Sequence, residues 1–294
     1  VIYRRRASPL HAASAAAASG WCAALAAATL VVSNPLMLGA LLLSVGGGAV
    51  LAGVRHELVR ALRWALPVAL AIVVVNALVT RDGLTIIWRF GNLPIVGYSY
   101  ITAEATAYGA ILGLRAVILI LSGVLYTTCV DPDELLGVFR RVSYRSALSA
   151  TLATRLVPLL GRDARRLADA QRCRPGRPPS RAALMRVATS NLLDRALDVA
   201  AALEVRGYAT ARRPGRPRRA GGPRLGEWSR HDLGFAASAV AVLGLSIGGP
   251  VWGCLGFSAY PTLSVATGFD AVAVSAAVLV CALAPFADRR GIVR

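Results

Sequence analysis

The chain contains no lysine: all 33 of its basic residues are arginine. That absence has chemical consequences. A phosphate-binding loop of the Gly-x-x-x-x-Gly-Lys type is ruled out, and no lysine is present to form a Schiff base. Any ATP-driven step would have to use ATP hydrolysed on another chain. Histidine is scarce too, and His11, His56 and His231 stand far apart, so the sequence offers no metal site of ordinary ligand spacing. Five cysteines (Cys22, Cys129, Cys173, Cys254 and Cys281) show no Cys-x-x-Cys spacing. They read as small core residues rather than as a disulfide framework or a metal cluster. Only 15 residues are acidic. No set of acids, histidine and activated nucleophile emerges, so the chain is expected to be non-catalytic, with no cofactor and no bound metal.

What the chain has in abundance is apolar sequence. Over 294 residues the hydrophobic share is 56% and the mean hydropathy +0.57, above the level of soluble domains. The apolar residues fall into six runs, at about 12–32, 36–53, 64–80, 105–130, 233–252 and 263–286. Each is near the ~20 residues a helix needs to cross the hydrocarbon core. The first is alanine-rich and is separated from the second by the turn Ser33-Asn34-Pro35. No run reads as a cleavable signal peptide.

Arginine placement sets an orientation. With the N-terminus inside, the inside segments 1–11, 54–63, 131–232 and 287–294 carry 30 of the 33 arginines. This bias places both termini in the cytoplasm. The outside segment 81–104 holds Gly83, Gly91, Pro94 and Gly97 among Trp88, Phe90, Tyr98 and Tyr100. It reads as an external loop lying against the membrane surface. Arg115 falls within the fourth run and is costly in lipid. It reads either as part of a polar pathway or, preferably, as a packed arginine paired with Glu104 or a backbone carbonyl.

Residues 131–232 are too long for a simple loop and carry 21 arginines against ten acids, a net of +11. Asp131-Pro132-Asp133-Glu134 is a helix start, with Asp131 as N-cap and Pro132 at the first helical position; that short helix is expected to end near Arg140-Arg141. A second helix is expected over 146–173, kinked or split at Pro158 and ended by Pro175. A third covers about 181–206, with Leu184, Val187, Leu193, Leu197, Ala200 and Leu203 on one side and Gly207 at the C-terminal cap. The two long helices end at Arg174 and Arg206. One arginine at a helix C-terminus is mildly favourable by itself. Two equivalent tips also suit a partner with two equivalent sockets, because a guanidinium fork engages carboxylates and carbonyls with directed hydrogen bonds.

Residues 211–232 read as a basic linker, rich in proline, glycine and arginine, that lies near anionic headgroups. The tripeptides Gly176-Arg177-Pro178 and Gly215-Arg216-Pro217 resemble minor-groove hooks. They arise easily in an arginine-rich chain, and nucleic acid is not an expected partner. The resulting division is 1–130 (four transmembrane helices), 131–210 (cytoplasmic helices), 211–232 (linker) and 233–294 (two further transmembrane helices and a short tail). The fold class is an all-α polytopic membrane protein, with about six transmembrane helices plus two long amphipathic cytoplasmic helices and a short one.

Several of these residues together resemble the transmembrane T component of energy-coupling factor (ECF) transporters, the EcfT/CbiQ family. The family carries two Ala-Arg-Gly motifs at the ends of two cytoplasmic coupling helices. Leu203-Glu204-Val205-Arg206-Gly207-Tyr208 is close to the second, with valine for alanine. Ala170-Gln171-Arg172-Cys173-Arg174-Pro175 is a degenerate first, with cysteine and proline for alanine and glycine. Leu152 to Leu160, Asp163-Ala164-Arg165-Arg166 and Ser33-Asn34-Pro35 are also similar to the family's pattern. The resemblance implies an ABC-type importer of a vitamin or metal ion such as cobalt. In it this chain would join two ABC ATPase subunits to a substrate-binding membrane (S) subunit in the bacterial plasma membrane. It implies that Arg174 and Arg206 anchor the ATPases, with Ala170, Cys173, Val205 and Gly207 packing closely around them. The small residues Gly46, Gly47, Gly48, Gly109 and Gly113 would suit either a sliding interface with the S subunit or ordinary internal packing. The alternatives are an ATPase-independent transporter, disfavoured because Arg115 is nearly alone as an ionisable group in the spans, and a membrane-anchored basic scaffold.

Overall fold

The computed structural model describes residues 6, 8–80, 85–93, 97–135, 158–159, 161–170, 173, 181–205, 229–253, 255–258, 264–265 and 267–288. The chain divides into two units, Val1–Leu135 with Gly226–Arg294, and Leu136–Leu225.

All six apolar runs form helices in the first unit. A single turn, α1 (Pro9–Ala12), precedes α2 (Ala15–Val31), α3 (Pro35–Leu51), α4 (Arg55–Val79) and α5 (Ala103–Cys129). Local chemistry sets the boundaries. Ser14 caps α2, Asn34 caps α3 with Pro35 just behind it, and Thr102 caps α5. Each cap supplies an oxygen to a backbone N–H that the first turn leaves unpaired. Gly53, at φ +76°, makes the left-handed turn between α3 and α4 that a side chain would strain. There Arg6 donates to the Gly53 carbonyl and pairs with Glu57 at 2.7 Å. Close by, the His11 imidazole sits 2.7 Å from the Ser8 hydroxyl. Burial pushes its pKa below the ordinary 6.5 against an opposing hydrogen bond to the Thr128 backbone, and Arg6 adds to the depression.

Four helices are long and apolar enough to cross a membrane: α4, α5, and two that follow the second unit. In the numbering used here those two are α7 (Arg230–Val251), which follows α6 (Arg181–Val205) of the second unit, and α8 (Phe269–Leu283), which runs on into a 3₁₀ turn at Ala284–Ala287. Helices α2 and α3 are shorter, at 17 residues each. At 1.5 Å per residue that is about 25 Å, against a hydrocarbon core of about 30 Å. The protein is thus a predominantly helical, multi-pass membrane fold in which four of the six apolar helices have full spanning length and two are shorter. The sixth run starts later than its hydropathy suggests, because Ser264–Val265 pairs with Phe257–Ser258 as a minimal hairpin (β4 with β3) before α8 begins.

The expected external loop is instead a β-hairpin. Strands β1 (Ile86–Leu93) and β2 (Gly97–Thr102) pair antiparallel between α4 and α5, with register shifts at Ile86/Trp88 and Arg89/Gly91. Glycine, proline and aromatics signal a loop when counted separately. Gly91 stands at one of the register shifts, while the β-branched and aromatic residues supply strand propensity. At the hairpin's base the buried Glu104 carboxylate accepts from the Thr85 hydroxyl at 2.8 Å and from its backbone N–H at 3.1 Å.

Close packing at small residues joins the helices. A Cβ added at Gly113 would stand 3.0 Å from the Ala69 carbonyl, and one at Gly109 3.2 Å from the Val73 backbone. These glycines therefore let α5 approach the α4 backbone, which is how helices associate where lipid offers no hydrophobic drive. Gly47 meets Leu283 and Gly48 meets Trp21, whereas Gly46 has open space around its Cβ position. Four of the five glycines thus serve internal packing.

The centre of the bundle is aromatic. Trp21, Phe235 and Phe286 are buried and meet edge to face, with centroids 5.2–5.7 Å apart. The Trp21 indole N–H donates to Ser238 Oγ at 3.1 Å, and Ser238 Oγ–H donates to the Cys281 carbonyl at 2.7 Å. One side chain of α2 is thereby tied to α7 and α8. Asp232 closes a capping box with Ser229 on α7 and also accepts from the Ser14 N–H at 2.5 Å.

Candidate functional site

Helix α6 and the helical residues 161–170 form the described part of the second unit. Between them Arg195 pairs with Asp163 at 3.6 Å, both half-exposed, a contact of small worth by itself. On α6 the half-buried side chains are Leu192, Val199 and Leu203, spaced by seven and four residues. They form one stripe, consistent with helical periodicity.

That stripe is not the one expected. Of the side chains placed on one side by their spacing, the Leu184 side chain lies outside the described residues and Leu203 is half-buried. Leu193 and Leu197 are 63% and 62% exposed, and Val187 and Ala200 are exposed too. The helix is apolar on two sides, and its own unit covers one of them. Periodicity finds apolar faces but does not say which one the rest of the chain will cover. Leu193 and Leu197, one turn apart, lie on the uncovered side.

Arg174, Arg206 and Gly207 lie outside the described residues. The neighbours that were expected to pack around them are described. Ala170 is exposed at the end of a helical stretch, Cys173 is an exposed free thiol in a turn, and Val205, the last residue of α6, is 89% exposed. The Cys173 N–H reaches the Asp169 carbonyl at 3.3 Å, a helical i to i−4 bond. The start of the segment is as its sequence dictates: residues 132–135 are helical, and Asp131 accepts from the Asp133 N–H at 2.9 Å. Among the described residues no three histidines, cysteines or acids converge as a metal-binding group.

Arg115 has structural partners. It donates to the Val32 carbonyl at 2.9 Å and to Ser33 Oγ at 3.2 Å. Of its two proposed partners the carbonyl holds, while Glu104 is engaged by Thr85. Helix α2 has no basic residue in its last turn, so Arg115 brings positive charge to the open carbonyls and the negative dipole end of α2. Arg115 lies about 18 Å along α5 from Ala103, so the α2–α3 turn meets the middle of that long helix. Irregular backbone at such depth persists only where protein satisfies it. Arg115→Leu is expected to destabilise the bundle by about 1–3 kcal/mol, read as a lower unfolding midpoint in detergent. Were Arg115 part of a transport pathway, activity would fall while the midpoint held.

A family model described as cobalt transport protein, CbiQ, matches residues 6–216, well over half of the chain. Among curated proteins no match is found. The matched stretch runs from the Arg6–Glu57 contact through the spans α2 to α5 and the whole of α6. It includes both the Ser33-Asn34-Pro35 turn and Val205-Arg206-Gly207, on which the resemblance was read. The chain belongs to the CbiQ cobalt transport protein family, the EcfT/CbiQ group of ECF transporter T components.

Proposed function

We propose that the chain is the non-catalytic coupling subunit of an ECF-type ABC importer. Two ATPase subunits bind its second unit from the cytoplasm, and a small substrate-binding membrane subunit is reoriented through it. The observation that carries this reading is the bare apolar side of α6. Leu193, Leu197 and Val205 are all more than three-fifths exposed on a helix that belongs to no candidate span. Exposed apolar side chains on a helix outside the candidate spans suit a partner surface. The helix leads directly into Arg206, whose guanidinium would enter a groove of the partner and make the directed hydrogen bonds. The degenerate motif at Arg174, preceded by exposed Ala170 and Cys173, would serve the second ATPase in the same way.

The rest of the reading follows from charge. With 30 of 33 arginines on one side, both termini face the cytoplasm of a bacterial cell and the basic linker lies on anionic headgroups. Without lysine the chain cannot build a Walker-type loop, so ATP is hydrolysed on the partner chains. The family description supports a metal-ion cargo such as cobalt, a vitamin being the other class.

Gentle purification from native membranes tests the proposal. Two nucleotide-binding chains and a small membrane protein are expected to copurify, and transport in proteoliposomes is expected to require all of them. A chain that moves cargo unaided, or that carries no ATPase, would refute the proposal.

A further inference from the structure

We propose that Arg115 and Ser33 form a binding site for the phosphate of one membrane phospholipid, at the turn between α2 and α3. The site starts from an unbalanced charge. Arg115 makes both of its hydrogen bonds from Nη2, to the Val32 carbonyl at 2.9 Å and to Ser33 Oγ at 3.2 Å. Its Nε is buried without an acceptor. Among the described residues the ion pairs are Arg6–Glu57 and Arg195–Asp163, so no carboxylate there balances Arg115. The helix ends at the turn do not balance it either. The negative end of α2 and the positive end of α3 meet at the turn and offset each other, which leaves the full guanidinium charge.

Depth makes that charge costly. With its 27 residues α5 is about 40 Å long, about 10 Å more than the hydrocarbon core. Arg115 lies about 18 Å along it from Ala103. Wherever the core falls on an upright α5, Arg115 is therefore at least about 8 Å inside it. A cation at that depth draws polar groups inward. The surroundings of the turn indicate which group. Leu30, Val31 and Leu36 are exposed on either side of the exposed Ser33, so the surface beside the guanidinium suits acyl chains and not a water-filled channel. A phospholipid brings both parts in one molecule, tails for the apolar residues and a phosphate for the cation. Arg115 still has Nη1 to donate, and the Ser33 hydroxyl, which accepts from Nη2, has its own proton to give. Two donors on one phosphate make a charge-assisted contact. Neither donor engages the rest of the head group, so the site reads the phosphate and is indifferent to what the phosphate carries.

The test needs no ATPase and is independent of the coupling role. Native mass spectrometry of the full chain in detergent measures retention of phosphatidylglycerol, phosphatidylethanolamine and diacylglycerol of identical acyl chains, each supplied alone at the same concentration. Both phospholipids are expected to be retained alike and diacylglycerol about tenfold less, the equivalent of one charge-assisted hydrogen bond. Arg115→Gln keeps an N–H for the Val32 carbonyl but no charge, and should bring the phospholipids down to the level of diacylglycerol. Arg115→Lys, which keeps the charge, should hold them above it. Ser33→Ala, which leaves the bond to the carbonyl in place, should lower both phospholipids about threefold. Inorganic phosphate added in excess should displace neither. Equal retention of diacylglycerol and phospholipid by the parent chain, unchanged phospholipid retention in Arg115→Gln or Ser33→Ala, or displacement by inorganic phosphate would each overturn the assignment. Loss of a membrane partner protein from Arg115→Gln with phospholipid retention unchanged would also overturn it, and would give the charge to a protein interface.

Discussion

Gly48→Val will destabilise the transmembrane bundle, and Trp21→Ala will do so more strongly. A Cβ at position 48 would stand 2.9 Å from Trp21 Cη2, and 3.6 Å from the Phe286 ring. Neither aromatic ring can give way easily, because each is buried and wedged edge-on against Phe235. Overpacking of this kind costs about 1–3 kcal/mol. Removing the indole costs about 3–5 kcal/mol, since it opens a cavity in the aromatic cluster and deletes the donor to Ser238. Gly46→Val is the control: nothing lies within 4 Å of its Cβ position, so a change within about 0.5 kcal/mol is expected. Thermal unfolding in detergent, followed by tryptophan fluorescence for the glycine variants and by circular dichroism for Trp21→Ala, measures all three. Equal midpoints for Gly46→Val and Gly48→Val would mean that the α2–α3 contact is not built as described.

The second large effect concerns coupling rather than stability. On the proposed coupling role, Arg174→Glu and Arg206→Glu are each expected to weaken attachment of the ATPases, and the double variant is expected to abolish both attachment and transport. Truncating one partner of a buried, hydrogen-bonded charge pair costs about 2–5 kcal/mol. With one tip still docked, the second attachment remains intramolecular, an advantage of about 10²–10⁴ in avidity. Each single variant should therefore retain part of the complex, whereas the double variant loses that advantage altogether. The unfolding midpoint of the isolated chain should not move in any of the three. An intact, transporting complex in the double variant would remove both arginines from the coupling role.

These two experiments probe different kinds of legibility. The helices themselves were readable because their causes are local. Ser14, Asn34 before Pro35, and Asp131 before Pro132 are caps whose oxygens act within a few residues. The expected cap of α6 at Gly207 lies outside the described residues. The β-hairpin carried a signal as well, in the strand-forming residues Ile86, Ile87, Trp88, Tyr98, Tyr100 and Ile101. It was outweighed by the glycines and proline counted as breakers.

Other features had no local cause to read. Arg115 had two sequence-compatible partners, and only the meeting of α5 with the α2–α3 turn, more than 80 positions away in sequence, selects the Val32 carbonyl. The same holds for the exposed side of α6.

By itself, then, the sequence determined an arginine-only membrane chain with six apolar helices, their caps and a basic segment unable to bind ATP through a lysine loop. Composition, period and capping are properties of neighbouring residues. Tertiary structure alone decided which glycines bear backbone contact, that the α2–α3 turn meets the middle of α5, and which side of α6 is left exposed. Each of those depends on packing between residues far apart in the chain, where a small side chain or a spare carbonyl gains meaning only from what is set against it.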